Sequence, residues 1–265
     1  MFFHMSVIIL LCKLPNRTAV ERPYFAANVS AAITLAGCSS YSSMTNLYVL
    51  GLSYTNSTPP QSDSVAHALY EKLNEIKGSA QLEVRAGYFG MCVRQRGIVW
   101  LCSADANGLT QQIGPENDPL NLIGTVRSFK DDVLFSGLLL MAVILATVSA
   151  LLLATFPGWH QERDESTGSD VDVKPFPARP VLQISLTSSL VAGVLLLIAG
   201  LWQHVGSVGA AAMAGSANYG NVKADIGTNV MVLTWIGVTV EISAAVGLFI
   251  MLISIMVLDR LVDDD

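Results

Sequence analysis

Three long apolar stretches constrain this chain more than any other feature. Val133–Phe156 contains no charged residue, and in Val181–Trp202 the only strongly polar side chain apart from hydroxyls is Gln183. Asn229–Leu258 is uncharged except for Glu241. Each stretch exceeds the roughly 20 apolar residues needed to cross a hydrocarbon core about 30 Å thick. The charged fraction of 14% is also far below the roughly 25% of soluble domains, so the sequence predicts an α-helical membrane protein.

A fourth crossing segment is predicted at the amino terminus. Phe2–Cys12 is apolar but short, and Tyr24–Cys38 is a second apolar run interrupted by polar residues. At about 1.5 Å per residue, neither run alone reaches across the membrane. We expect a first span that ends near Cys38. The alternatives are a signal-peptide core in Phe2–Cys12 and a lipid-attachment box ending at Cys38, which does not suit a chain with three later spans.

Basic residues in the short loops predict the orientation. The loop between the second and third spans carries Arg163, Lys174 and Arg179, whereas the loop between the third and fourth carries only Lys223. Because Lys and Arg are in excess on the cytoplasmic side, we expect the first loop and both termini inside and the long loop outside. The predicted segments are 1–38 (amino-terminal segment and first span), 39–132 (extracellular domain), 133–156 (second span), 157–180 (cytoplasmic loop), 181–202 (third span), 203–228 (outer loop), 229–258 (fourth span) and 259–265 (cytoplasmic tail).

The long outer loop is predicted to fold as a small β/α domain. Ser64–Gly78 has a capping serine, apolar residues at helical spacing and a terminal glycine, which together indicate a helix. The β-branched and aromatic residues that follow, between Leu82 and Trp100, indicate strands. In the second outer loop, the Gly/Ala-rich stretch Gly206–Gly220 is expected to be flexible.

Two cysteines flank a polar break in the strand region. Cys92 and Cys102 stand symmetrically about Gly97, so a tight hairpin at this glycine would place the two sulfurs opposite each other. On the oxidising side of a membrane they are expected to form a disulfide, worth roughly 3 kcal/mol in the chain-entropy model. The alternative is a pair of free thiols in a core. A zinc site would need two more ligands nearby, and no suitable histidine lies there.

The segment Gly87-Tyr88-Phe89-Gly90-Met91-Cys92, followed after nine residues by Cys102, is similar to the signature of claudin-like four-span proteins. More closely, the chain resembles the fungal factor-induced-gene family of calcium regulators and membrane fusion proteins of mating. Ala36–Ser40, Thr45–Tyr54, and Trp100 within the interval Gly87–Cys102 support this resemblance, as do the three later spans. The motif residues in this chain are Gly87, Phe89, Gly90, Cys92, Trp100 and Cys102.

The resemblance implies a plasma-membrane protein that supports low-affinity calcium influx and cell fusion during mating or polarised growth. It also implies a claudin-like bundle of four helices with a small extracellular sheet. The expected partners are the lipid bilayer and either a second copy or other membrane proteins, such as calcium channel subunits, and not nucleic acid. Two alternative functions are a pore-forming channel or transporter subunit and a claudin-type adhesion protein.

Within the spans, Glu241 is the deepest ionisable residue. An acidic residue at a helix centre costs about 2.5–3.5 kcal/mol to insert, so it is expected to face the bundle or a watery cavity. Either it forms a cation or proton site or a bond to a partner's span, or it is a neutral carboxyl bonded to a serine such as Ser188, Ser189 or Ser243. Small residues are expected to form helix contacts in two stripes: Ala142, Ala146, Ala150 and Ala154, and Ser185, Ser189 and Gly193.

Outside the spans the sequence offers few chemical sites. Asn56-Ser57-Thr58 fits the acceptor pattern for N-glycosylation. Gly114–Pro119 clusters oxygen ligands, but we expect an ordinary loop rather than a calcium site. Because phosphate-binding, zinc-protease and serine-hydrolase motifs are missing from the sequence, we expect no enzymatic activity, no cofactor and no metal site.

Overall fold

The computed structural model describes residues 21–39, 44–56, 64–156, 160–163, 170–173 and 177–263. Helices and strands alternate irregularly along this part of the chain. The helices are α1 (Glu21–Ala36), α2 (Ser64–Lys77), α3 (Ala106–Ile113), α4 (Leu122–Asp132), α5 (Ser136–Ala154), α6 (Arg179–Ala217) and α7 (Thr228–Asp263). The strands are β1 (Leu50–Tyr54), β2 (Leu82–Ala86), β3 (Met91–Gln95), β4 (Trp100–Ser103), β5 (His160–Arg163), β6 (Asp170–Val173) and β7 (Val222–Ile226).

Three of the described helices are long and apolar enough to cross a membrane. They are α5, α6 and the part of α7 from Thr228 to Leu261, with mean hydropathies of 2.6, 2.2 and 2.4. The prediction of membrane-crossing helices is therefore confirmed for these three. Helix α1 has 16 residues, fewer than the roughly 20 that a crossing needs, and residues 1–20 lie outside the described part. The four-span bundle remains a prediction.

The expectation that Gly206–Gly220 forms a flexible loop is wrong, because α6 continues to Ala217. Its 39 residues reach about 58 Å, well beyond the thickness of a membrane core. Gln203, Ser207 and Ala214 are buried along this extension. Each glycine costs up to about 1 kcal/mol in helix propensity, but helices in proteins are stabilised mainly by burying one face. The high glycine content predicts a loop, whereas the buried face of α6 makes this segment helical.

The chain divides into two compact units. The helical unit comprises Met1–Val29, Leu140–Leu196 and Gly237–Asp265. Its core includes Leu153 from α5, residues of α6 and residues of α7 (Leu182, Leu186, Ala244, Leu248 and Ile255). Serine hydroxyls add polar contacts between helices: Ser149 Oγ donates to the Ser185 carbonyl oxygen at 3.1 Å, and Ser188 Oγ donates to the Leu145 carbonyl oxygen at 2.9 Å. The predicted stripe of Ser185, Ser189 and Gly193 is buried throughout, whereas the alanine stripe is buried only at Ala142 and Ala146 and ends with Ala154 exposed.

The sheet unit comprises Ser30–Leu139 and Leu197–Ile236. Its five-stranded antiparallel sheet has the order β4-β3-β2-β1-β7, so β7 pairs with β1 from a distant part of the sequence. Helix α3 packs on β3 and β4, and α4 packs on β1 and β2. These two helices bury an apolar layer that includes Leu109, Ile113, Val126 and Phe129. Helix α2 matches the helix predicted over Ser64–Gly78.

The two ends of the sheet differ in what adjoins them. Strand β7 leads through Gly227 directly into α7, so the end containing Ile226 and its partner Leu50 adjoins a candidate span. We call the opposite end the distal end of the sheet. It contains Tyr54, which pairs with Val222, and the turn that joins β3 to β4.

Candidate functional site in the disulfide-pinned hairpin

The β3–β4 hairpin holds most of the motif residues. Arg96 and Gly97 have positive φ angles of 49° and 73°, and the Ile98 amide donates to the Gln95 carbonyl oxygen at 3.2 Å. Positive φ at both central residues is the requirement of the tight type I′ turn. Cys92 lies directly opposite Cys102 in the strand register, and the two are joined by a disulfide. The hairpin about Gly97 and its disulfide are therefore as predicted.

The motif glycines lie where two backbone segments touch. Gly87 and Gly90 close a tight turn between β2 and β3, in which the Gly87 amide donates to the Gly90 carbonyl oxygen at 2.9 Å. A Cβ at Gly87 would overlap the carbonyl oxygen of Gly37 and lie 2.9 Å from Cβ of Cys38. A Cβ at Gly90 would lie 2.5 Å from the Cys38 carbonyl oxygen. Both motif glycines therefore serve a close approach to the segment after α1.

Tyr88 of the same turn ties the hairpin to both long helices. It is buried, and its hydroxyl donates to Oε1 of Gln203 on α6 at 2.8 Å. Oγ1 of Thr234 on α7 lies 3.2 Å from the same oxygen and 2.9 Å from the Val230 carbonyl oxygen, so its single proton has two acceptors in reach. Gln203 is only 1% exposed. Burial raises the pKa of Tyr88 above its usual value, which keeps the phenol neutral and able to donate. We call Tyr88, Gln203 and Thr234 the polar node.

The sequence did not predict this node, because Gln203 falls in the predicted outer loop and not in the third span. A lone glutamine immediately after an apolar run gives no sign of its partner when that partner is 115 residues away. The neighbouring motif residue Phe89 takes no part in the node and is 43% exposed.

Motif residue Trp100 is held by two arginines on the sheet face that carries the disulfide. The guanidinium carbons of Arg85 and Arg94 lie 4.4 Å and 4.8 Å from the centroid of its ring. Arg85 also lies 4.5 Å from the centroid of the Tyr48 ring and donates through Nε to Glu83 Oε1 at 2.8 Å. Cation–π contacts contribute about 0.5–1 kcal/mol at exposed sites and more where they are desolvated. From the sequence, Arg94 is predicted only as part of the polar break before Gly97, and Arg85 and Glu83 carry no signal of this role.

Glu241 lies apart from the hairpin, in the helical unit. Its side chain is 0% exposed, and its Oε1 accepts a hydrogen bond from Ser189 at 2.9 Å. The other two serines considered from the sequence donate elsewhere, Ser188 to the Leu145 carbonyl oxygen and Ser243 to the Thr239 carbonyl oxygen. Oε2 has no hydrogen-bond partner within the described residues. The carboxyl therefore makes a contact inside the chain and does not reach a lipid-facing surface.

The acidic loop Gly114–Pro119 uses its carboxylate for structure. Both oxygens of Asp118 accept bonds, Oδ1 from the Tyr54 hydroxyl and the Leu122 amide at 2.8 Å each, and Oδ2 from the Ile123 amide at 2.9 Å. These bonds satisfy backbone amides at the start of α4, where a helix leaves them without partners. The described residues also contain no group of three acidic, histidine or cysteine side chains placed to hold a metal ion.

The candidate glycosylation residue Asn56 is exposed near the distal end of the sheet. Its Oδ1 accepts a hydrogen bond from Lys77 Nζ at 2.9 Å, and the same ammonium group donates to the Thr55 carbonyl oxygen at 2.8 Å. Residues 57 and 58 of the acceptor pattern lie outside the described part. An exposed asparagine is accessible to a modifying enzyme, as glycosylation requires.

Comparison with known protein families gives a match over most of the chain. The model of the family described as "Ca2+ regulator and membrane fusion protein Fig1" matches residues 69–254, about 70% of the chain. The matched region contains the motif turn, the disulfide hairpin, the polar node and nearly all of the three candidate spans. A comparison with curated proteins found no match. The resemblance to the factor-induced-gene family is confirmed, and the chain belongs to the Fig1 family of Ca2+ regulators and membrane fusion proteins.

Proposed function

We propose that this protein is a non-catalytic regulator in the plasma membrane that promotes low-affinity calcium influx and cell fusion during mating or polarised growth. Family membership carries the proposal, because Ca2+ regulation and membrane fusion are the activities that describe the family. The features gathered in the matched region support a role exerted through a rigid outer domain.

The outer domain is proposed to lie outside the cell and both termini inside. Disulfides persist in oxidising compartments, so the Cys92–Cys102 bond favours an extracellular sheet unit. The excess of basic residues between α5 and α6 favours a cytoplasmic location for that loop. With α1 continued into a first span, the bundle would have the four helices of claudin-like proteins. Oγ1 of Thr147 on α5 lies 3.4 Å from Oδ1 of Asn28 on α1, and this proximity supports placing α1 in the bundle.

The spans support regulation rather than conduction. A pore needs polar groups along a shared, water-accessible face, whereas Glu241 is enclosed and bonded to Ser189. The polar node offers a route by which the outer domain could act on the helices, because it joins the motif turn to α6 and α7. Calcium entry is proposed to pass through partner membrane proteins, which this chain contacts laterally.

Complementation tests the proposal. Cells that lack the endogenous family member and fail to fuse are supplied with this protein, and calcium influx and fusion efficiency are measured. We expect both to recover. If the protein reaches the cell surface and restores neither activity, the proposed function is wrong. Purified protein that conducts calcium in liposomes without partners would instead make it a pore.

A further inference from the structure

The distal end of the sheet carries an apolar tip that the motif does not explain. Ile98 and Val99, which follow the β3–β4 turn, are 79% and 62% exposed. Scattered apolar residues are common on protein surfaces, but two adjacent β-branched ones at a hairpin tip form a protruding apolar surface. We call Arg96, Gly97, Ile98 and Val99 the hairpin tip.

The hairpin tip is held rigidly. Its turn is fixed by the two positive φ angles of Arg96 and Gly97, and the disulfide joins the strands behind it. Trp100, which follows Val99, is stacked with Arg85 and Arg94. A surface that is already ordered loses little conformational entropy on binding, so even a small apolar tip can add to affinity.

A polar cleft of about 470 Å³ opens beside the hairpin tip. Two arginines, Arg94 and Arg96, and one acidic residue, Glu83, lie among its lining residues, so the cleft has a net positive charge. Arg94 pairs with Glu83, whereas Arg96 has no ion pair within the described residues. A guanidinium group binds phosphate oxygens well, often through two parallel hydrogen bonds. The cleft therefore complements an anionic phosphate group.

We propose that the hairpin tip docks on the phospholipid bilayer of the facing membrane. Ile98 and Val99 would enter the interfacial layer, and Arg96 would contact headgroup phosphates at the mouth of the cleft. An apolar tip next to a cationic cleft matches the order of acyl chain and phosphate across a bilayer surface. The tip lies at the distal end of the sheet, opposite the end that adjoins α7. The inference rests on the proposed function, since it needs the sheet unit to be extracellular.

A second exposed apolar surface of the sheet unit, on α2, lacks this complementarity. Val65 and Ile76 of α2 are 63% and 56% exposed, similar to the tip residues. On the same helix, exposed Lys72 pairs with Glu75, and exposed Glu71 leaves the exposed charges without an excess of cations to bind phosphate. Val65 and Ile76 therefore supply a control of similar apolar exposure in the same domain, without the cationic cleft.

Vesicle flotation tests the docking. Full-length protein in nanodiscs is mixed with protein-free vesicles of four parts phosphatidylcholine to one part phosphatidylserine. An Asn56→Gln background is used so that this cleft-lining position is chemically uniform in every variant. We expect Ile98→Asp/Val99→Asp to weaken vesicle binding at least tenfold and Val65→Asp/Ile76→Asp to change it less than twofold. Arg96→Asn should weaken vesicle binding about fivefold, and asparagine tolerates the positive φ of this position. At high salt the difference in binding between this variant and the unsubstituted protein should become smaller.

Every other pattern overturns the docking. Absence of vesicle binding by the unsubstituted protein, or equal loss from both double variants, excludes the hairpin tip as a lipid-docking surface. Binding that requires the same protein in the target vesicles makes a second copy the occupant. The disulfide and melting temperature of each variant are checked, and Arg96→Asn provides a test that leaves the apolar residues unchanged. Complementation is measured with the unsubstituted protein, so it tests the proposed function independently of the flotation assay. If calcium influx and fusion recover in cells but the protein does not bind vesicles, only the docking is overturned.

Discussion

The contact between the motif turn and the segment after α1 leads to a sharp prediction for Gly87→Ala. The new Cβ would overlap the Gly37 carbonyl oxygen and lie 2.9 Å from the Gly37 carbonyl carbon and from Cβ of Cys38. Carbon atoms in good contact lie about 3.5–4.0 Å apart, so the two segments must separate by at least about 0.6 Å. Overpacking costs about 1–3 kcal/mol, and a backbone obstacle places this case at about 2–3 kcal/mol. Since each kcal/mol is worth about 2–4 °C in a domain of this size, the melting temperature should fall by about 4–12 °C.

A second glycine provides the matched control. At Gly209 on α6 a Cβ would meet nothing within 4 Å, and alanine is favoured over glycine in a helix by about 0.8–1.0 kcal/mol. Gly209→Ala should therefore leave the melting temperature unchanged or raise it. Thermal unfolding of detergent-purified protein, followed by tryptophan fluorescence, gives the comparison. Maleimide labelling of Cys38, which is 0% exposed, reports locally in a Cys12→Ser background and should be faster in Gly87→Ala. A Gly87→Ala protein that melts and labels like the unsubstituted one would refute the close-approach argument.

Three further predictions concern buried polar groups. Tyr88→Phe removes the hydroxyl that donates to Gln203 and should lower the free energy of unfolding by about 1 kcal/mol. The loss is measured as a shift of the denaturation midpoint. An unchanged midpoint would count against the polar node. Burial raises the pKa of the phenols of Tyr54 and Tyr88 in the folded protein. The pKa of tyrosine in the unfolded chain is about 10, so the stability that these phenols contribute is fully present below about pH 10 and is lost as the pH rises above it. Tyrosinate absorbance from these two residues should thus appear only together with unfolding, and gradual ionisation near pH 10 in the folded protein would contradict this. Glu241→Gln keeps an acceptor for Ser189 and should preserve the surface level and calcium influx. Glu241→Lys should abolish surface expression, because it buries an unpaired charge. Loss of calcium influx in a Glu241→Gln variant that is well expressed would give Glu241 a functional role.

Local patterns in the sequence were sufficient to predict several elements. Helix α2 was predicted from its capping serine, apolar spacing and terminal glycine, all of which lie within Ser64–Gly78. The hairpin was predicted because Gly97 stands midway between Cys92 and Cys102, which are only 10 residues apart. In each case the determining interactions are close in sequence.

Elements that depend on distant partners could not be predicted in this way. Strand β7, with the sequence Val-Lys-Ala-Asp-Ile, carries two charges and becomes a strand by pairing with β1, about 170 residues earlier. The extension of α6 is stabilised by burying Gln203, Ser207 and Ala214, which the high glycine content of this region conceals. Strand and helix propensities are weak guides where tertiary contacts decide the outcome.

The same distinction holds for the candidate site. The motif residues were identified from the sequence, but the reasons for their identity lie elsewhere in the chain. Position 87 must be a glycine because the Gly37 carbonyl oxygen occupies the place of a Cβ. The hydroxyl of Tyr88 has a role because Gln203 accepts its hydrogen bond. Trp100 packs against Arg94 of β3 and Arg85 of β2. In the sequence both arginines only alternate with apolar residues, and this pattern does not indicate that they share an aromatic partner.

The central claim is that the disulfide-pinned outer domain is required for calcium influx and membrane fusion. A Cys92→Ser/Cys102→Ser double variant removes the bond, which is worth roughly 3 kcal/mol for a loop of this size, without leaving an unpaired thiol in the hairpin. Calcium influx and fusion efficiency are compared with those of the unsubstituted protein at matched surface levels. We predict that both activities fall together. If the double variant reaches the same surface level and retains both activities, the pinned hairpin is not central to the function.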